Sequence, residues 1–179
     1  MSSCNTIKPN PLALPIKMIW VAILMMVVFK AATAWFSERW AVYIDPMGDE
    51  SCIPEYSVYY QNKGFDGAIE KGRIYTFVSE GLEPFFGDGL RIGKYVSAME
   101  GDVVTINEHG LFINNKKIRE GINSIVAKKL DKQPEDFYTT YQLKKDQVFV
   151  TGTAARSFDS RYWGAIQKNR IEAEVIPLW

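Results

Sequence analysis

Serine, lysine, aspartate and arginine are the side chains this chain offers for chemistry, because the more usual catalytic groups are scarce. The single histidine, His109, falls in an expected hairpin turn, from which a Ser-His-Asp triad would have to recruit it. One histidine with two cysteines, Cys4 and Cys52, on opposite sides of a long apolar segment makes neither a zinc ligand set nor a disulfide framework. No glycine-rich phosphate loop opens a helix, so nucleotide chemistry lacks a site, and no cofactor or metal is expected. A serine nucleophile then needs a lysine as its base, and a lysine can serve where burial against apolar groups lowers its pKa toward neutrality. Lys94, in "RIGKYVSAMEGDVV", fits: Ile92 and Val96 share its face on a strand while Tyr95 and Ser97 alternate with it. By contrast Lys116–Lys117, Lys128–Lys129 and Lys144–Lys145 come in solvated-looking pairs. The alternative for Lys94 is a strand lysine pointing to water.

A second stretch of mixed chemistry is "SFDSRYWG", residues 157–164. A surface loop has no need of Tyr162 and Trp163, and a plain core strand has none of Asp159, Ser160 and Arg161. The mixture predicts a buried or half-buried polar corner, in which Asp159 and Arg161 satisfy each other and Ser157 or Ser160 points at something functional.

The elements that must position these groups begin with "MIWVAILMMVVFKAATAWF", Met18 to Phe36, preceded by Lys17 and interrupted only by Lys30. A spanning helix needs about 20 largely apolar residues; Lys30 is near enough to one end to snorkel, and Trp20 and Trp35 sit like interfacial anchors. The run has no polar face, which argues against a buried core helix. We expect a single membrane anchor over 18–36, a cytoplasmic tail over 1–17 and an exported domain over 37–179. The rival is a cleaved signal peptide ending at Ala32-Thr33-Ala34, which exports the same domain. Loop charges say almost nothing about orientation. Basic and acidic residues balance at 21 each, so no field draws the chain to nucleic acid.

Past the span, turn formers in "SERWAVYIDPMGDESCIPEY" predict a shaped loop. Strand character marks "RIYTFV", "QVFVTG" and "IEAEVI", and "DVVTI" with "LFI" flanks Asn107–Gly110 as a hairpin. Asn114-Asn115 predicts a second turn, and "INSIVAKKL", Ile122 to Leu130, a short helix. The fold class expected is mainly β, a folded-over sheet or small barrel-like core behind one helix.

Three stretches resemble the type I signal peptidase family. "ESCIP", Glu50 to Pro54, resembles its nucleophile box; "KYVSAMEGDVV", Lys94 to Val104, its lysine box, with Asp102 eight positions on; "GTAARSFDSRYWG", Gly152 to Gly164, its final box. The resemblance implies a signal-peptidase-like β domain behind a single transmembrane helix. It implies Ser51 as nucleophile and Lys94 as general base, with Ser157 orienting the amine and Asp159 and Arg161 as a structural ion pair. It further implies the Ser51 backbone N–H as an oxyanion donor and strand edges that bind an extended precursor.

The final box reads Gly152-Thr153-Ala154-Ala155 where housekeeping members carry Gly-Asp-Asn-Arg, and it is one residue shorter. That shortening, with a single expected span and the small size of the chain, resembles the TraF-type peptidases of conjugative transfer, which process pilin precursors and in some cases close them into rings. The implied partners are an exported precursor, membrane lipid and components of conjugative (type IV) secretion; the implied location is the inner membrane, catalytic domain in the periplasm. Asp49, two before Ser51, puts a carboxylate where the family offers a hydroxyl to the oxyanion, and Arg73 replaces a strand aspartate, a change expected to touch only a turn. Other readings are a housekeeping signal peptidase, a non-catalytic pilus-assembly factor of the same fold, and Cys52 as nucleophile. Against the last, neighbours on an extended segment face opposite ways, so only one of Ser51 and Cys52 can meet Lys94.

Overall fold

The apolar run coils into α1 (Ala13–Arg39), longer at both ends than the run itself. Pro15 sits in the first turn, where no intrahelical N–H is lost, and the Thr33 and Ser37 hydroxyls donate to the carbonyls of Lys30 and Ala34, each at 3.0 Å. The guanidinium of Arg39 lies 4.9 Å from the Trp35 ring centre. By length and composition the 25 residues Pro15–Arg39 can cross a membrane. The protein is seen here as a computed structural model that describes residues 13–45, 48 and 51–179. Cys4, Asp49 and most of the expected N-terminal tail lie outside the described residues.

Residues Trp40–Trp179 form a separate unit of two antiparallel sheets. The first sheet is seven-stranded and follows the order β1 (Trp40–Ile44), β2 (Val58–Asn62), β11 (Ile171–Pro177), β3 (Ile74–Val78), β4 (Arg91–Met99), β9 (Gln147–Thr151), β10 (Ile166–Gln167). The second is four-stranded, in the order β7 (Lys116–Arg119), β6 (Gly110–Ile113), β5 (Val103–Asn107), β8 (Thr139–Gln142). This is the mainly β architecture expected. The stretch read as a shaped loop departs from expectation: "WAVYI" is strand β1, paired from Trp40↔Asn62 to Ile44↔Val58. Its aromatic and β-branched residues were outweighed in the sequence by the turn formers that follow.

Both expected turns are present. β5 and β6 pair in register from Asn107↔Gly110, and Asn114 and Asn115, at φ 50° and 65°, turn β6 into β7. The short helix is α2 (Ser124–Lys129), capped by the Asn123 side chain accepting the Ile125 N–H at 3.0 Å. Each sheet has its own core. Tyr75, Phe77, Ile92, Val96, Val150 and Phe158 lie in the first, and Val104, Ile106, Leu111 and Phe149 in the second.

β4 joins the two sheets through a turn at Glu100–Gly101, with Gly101 at φ 86°. Asp102 secures it: its carboxylate accepts the Met99 N–H at 2.8 Å, Asn114 Nδ2 at 2.8 Å and Lys71 Nζ. Burial alone would raise the Asp102 carboxyl, but those three donors outweigh it and hold its pKa below the ordinary carboxylate value. Arg73 does more than touch a turn, since it pairs with Glu70 and reaches Glu174 on β11.

Candidate active site

After the exposed Arg91, β4 alternates between buried and half-buried positions, and Ile92, Lys94, Val96 and Ala98 take the buried face. The side chain of Lys94 is therefore wholly enclosed, at 0% exposure, on the strand between β3 and β9. Its Nζ donates to Ser157 Oγ at 2.7 Å and lies 5.9 Å from the ring centre of Phe86. Among the described residues no carboxylate pairs with it.

Ser157 is held by the polar corner that the aromatic-polar mixture predicts. Asp159, fully buried, accepts Arg161 Nε at 2.8 Å, Arg161 Nη2 at 2.9 Å and the Gly152 N–H at 3.0 Å. Arg161 in turn donates to the carbonyls of Ser157, Glu120 and Gly121. Burial opposes a charged guanidinium, but the Asp159 carboxylate more than compensates and pushes the Arg161 pKa above its usual value. Ser160 has a separate task, its hydroxyl accepting the Val150 N–H at 3.0 Å. The corner is an α-helical turn, α3 (Ser160–Trp163), whose Tyr162 hydroxyl accepts the Asn123 N–H at 2.9 Å and so ties it to α2.

The loop that carries Ser51 docks on the same corner. The N–H groups of Thr153 and Ala154 both donate to the Cys52 carbonyl, at 2.9 and 3.2 Å. Gly152 allows that approach. A Cβ there would overlap the Ser157 hydroxyl and lie 2.5 Å from the Cys52 oxygen. Below, Ile53, Tyr59, Ile74 and Val175 form a small apolar cluster that seats the loop.

Ser51 is 4% exposed and lines a cleft of about 300 Å3 with Ile53, Tyr59, Ile74, Phe86 and Ile92. Its hydroxyl donates to Asp45 Oδ2 at 2.6 Å and accepts the Ile53 N–H at 3.1 Å; no hydrogen bond joins it to Lys94. Its own backbone N–H, expected to face an oxyanion, donates to the Gly48 carbonyl at 3.0 Å. The reason is local: residues 51–53 form bends rather than an extended strand. The same bends bring Cys52 to the cleft beside Ser51, so strict alternation does not separate the two. Asp45 is the site residue that sequence reasoning missed, hidden in an Asp-Pro pair that read only as a turn. The phenols of Tyr43 and Tyr59 are raised, by burial first and by the Asp45 charge second, so both remain neutral donors.

Comparison with known proteins gives the family of the chain. The family model described as signal peptidase, peptidase S26, matches residues 15–179. Among solved structures, a signal peptidase I from Enterococcus faecalis V583 is similar at 20% identity over 60% of this chain and 96% of that one, with a TM-score of 0.37. No curated protein matches the chain. The family match spans both sheets, the buried lysine and the serine cleft, and the chain belongs to the signal peptidase family of serine endopeptidases, peptidase S26.

Proposed function

We propose that the protein is a membrane-anchored endopeptidase in which Ser51 is the nucleophile and Lys94 its general base. The observation that carries the reading is the Lys94 amine, enclosed, held at 2.7 Å by Ser157 and 5.9 Å from the ring centre of Phe86, which lines the cleft with Ser51. Lys94 takes the Ser51 proton while Oγ bonds to the carbonyl carbon of the precursor, and it returns that proton to the leaving amine as the scissile C–N bond breaks. An acyl-enzyme on Ser51 results. Ser157 acts through the lysine, keeping its lone pair aimed, and the Asp159–Arg161 pair holds Ser157 in place. To use the Ser51 N–H on the oxyanion, the loop must release it from Gly48 as substrate enters.

The substrates are exported precursors, trimmed by a domain in the periplasm that α1 ties to the inner membrane. The shortened final box, Gly152-Thr153-Ala154-Ala155, supports the TraF-type subclass, with conjugative pilin as the precursor and secretion components as neighbours. Co-expression of a pilin precursor with the wild type and with Ser51→Ala, Lys94→Ala and Cys52→Ala, read by intact mass, tests the reading. Processing is expected to vanish with Ser51→Ala, to fall about 10^2- to 10^4-fold with Lys94→Ala, and to survive Cys52→Ala. A product lighter by one water than the trimmed chain indicates cyclisation. Processing that needs Cys52 and not Ser51 would overturn the proposal.

A further inference from the structure

The sheet face that carries the Ser51 cleft continues past it. Gly93 of β4 lines the cleft with its cross-strand neighbours Ile74, Thr76 and Val175, and two and four residues on, Tyr95 and Ser97 extend the same face. Tyr95 packs on the apolar cluster that seats the serine loop. Beyond it lies a second hollow of about 230 Å3, lined by Gly72, Tyr95, Ser97, Ile118 and Arg119, where β7 of the second sheet meets β4. It is open at Gly72, where an added Cβ would meet nothing within 4 Å. Its charge sets it apart. Arg73, Arg91, Arg161 and Arg170 each hold a carboxylate. Arg119 is half-buried, yet among the described residues its guanidinium has neither a carboxylate nor a hydrogen-bond partner. The acids nearby are engaged elsewhere: Glu120 pairs with Lys117 at 3.0 Å, and Glu55 accepts the Thr153 hydroxyl.

Two hydroxyls stand beside Arg119. Burial first, then Tyr56 and Glu55, raise the Tyr95 phenol against the opposing pull of Arg119, so it stays a neutral donor. Ser97 Oγ lies 2.6 Å from Thr151 Oγ1, and its hydrogen is free when Thr151 donates. Partial burial strips the guanidinium of water that no carboxylate here replaces, so an incoming carboxylate gains more from it than from a solvated arginine. The guanidinium fork fits a planar carboxylate, and the hydroxyls can meet its remaining lone pairs. We propose that Arg119, Tyr95 and Ser97 form a carboxylate-binding subsite for the precursor, outside the cleft and reached along the face of β4. At about 3.4 Å per residue, Gly93 and Ser97 are about 14 Å apart, which sets the acidic group roughly four or more residues from the scissile bond. The subsite binds and selects; it takes no part in the bond-breaking steps. Its role in cleavage rests on the reading of Ser51 as nucleophile.

The test uses the full-length protein in detergent and amidated peptides spanning the cut site of an exported precursor, with Glu, Gln or Lys placed in turn from about eight residues before the cut to about eight after. A free-acid series ending at the same positions separates a terminal carboxylate from an acidic side chain. Both kcat and KM are compared within each variant, so a general loss of rate leaves the ratios readable. At one position or one chain length the wild type is expected to favour the carboxylate over its neutral counterpart by about three- to tenfold, the yield of one partly screened charged contact. The gain should fall in KM rather than kcat, because the contact is remote from the scissile bond. Arg119→Gln should bring the ratio toward one, and Arg119→Glu should turn the preference to Lys. For peptides that are not turned over, protection of Arg119 from phenylglyoxal, read by mass against the exposed Arg156, reports the same contact. A flat profile in the wild type, or an unchanged ratio in Arg119→Gln, overturns the subsite while Ser51-dependent cleavage keeps the nucleophile assignment. Cleavage that persists in Ser51→Ala removes both.

Discussion

Gly152 carries as much of the site as any side chain, because three chain segments meet where its Cβ would be. Its N–H binds Asp159, and the Cys52 carbonyl and the Ser157 hydroxyl crowd its α-carbon. Gly152→Ala should push Ser157 off Lys94 and lift the serine loop. Processing is expected to fall at least as far as in Ser157→Ala, where loss of one buried hydrogen bond, about 1–3 kcal/mol, predicts roughly a ten- to hundredfold drop in kcat/KM. Side-by-side kinetics of the two variants check the order. Arg161→Lys keeps the charge but not the fork that grips both Asp159 oxygens and three carbonyls at once, so it should behave like a loss of the residue. A thermal melt that separates Arg161→Lys from wild type by several degrees, with processing impaired, is the expected result.

Strand β4 does two jobs, and its far end explains why the lysine box extends eight residues to Asp102. The register Tyr75↔Lys94 fixes which face the lysine takes, and the Asp102 turn fixes how β4 hands over to the second sheet. The Asp102 carboxyl is held below its ordinary 3.8, so it contributes stability that is fully present above that value and lost as pH falls through the folded-state pKa. Asp102→Asn removes the Lys71 ion pair and one of the backbone or Asn114 bonds, and should cost on the order of 1–3 kcal/mol at pH 7. Denaturant titrations at pH 7 and pH 3 check this: the gap between wild type and Asp102→Asn should narrow at the lower pH. A one-residue insertion between Arg91 and Ile92 should be far worse, since it turns Lys94 toward the opposite face of the sheet.

At the scale of the molecule, the chain divides into an apolar helix and a β unit with its own cores. If α1 anchors the protein, the full chain should stay in the pellet when membranes are washed with alkaline carbonate. A chain beginning at Trp40 should keep a β-rich circular dichroism spectrum and a cooperative melt, because the three apolar clusters lie wholly within Trp40–Trp179. Release of the full chain by carbonate would argue against the anchor.

Much of this was readable from residue order. Alternation around Lys94 put it on one strand face with Ile92 and Val96 but left open whether that face met water, the Asn-rich turns set two hairpins, and Asp159, Arg161 and Ser157 announced a polar corner, because period, turn chemistry and charge pairing are local properties. The seven-strand order was not local. Bringing β4 beside β9, and the Ser51 loop onto Gly152, depends on contacts between residues some 50 to 100 positions apart, which no short window of sequence contains. Tertiary structure alone decided where the Ser51 loop sits, because the Cys52 carbonyl is held by Thr153 and Ala154 and the loop is seated on Ile53, Tyr59, Ile74 and Val175, residues far apart in the chain; within that loop the bend at 51–53 rests the Ser51 hydroxyl on Asp45 and its N–H on Gly48.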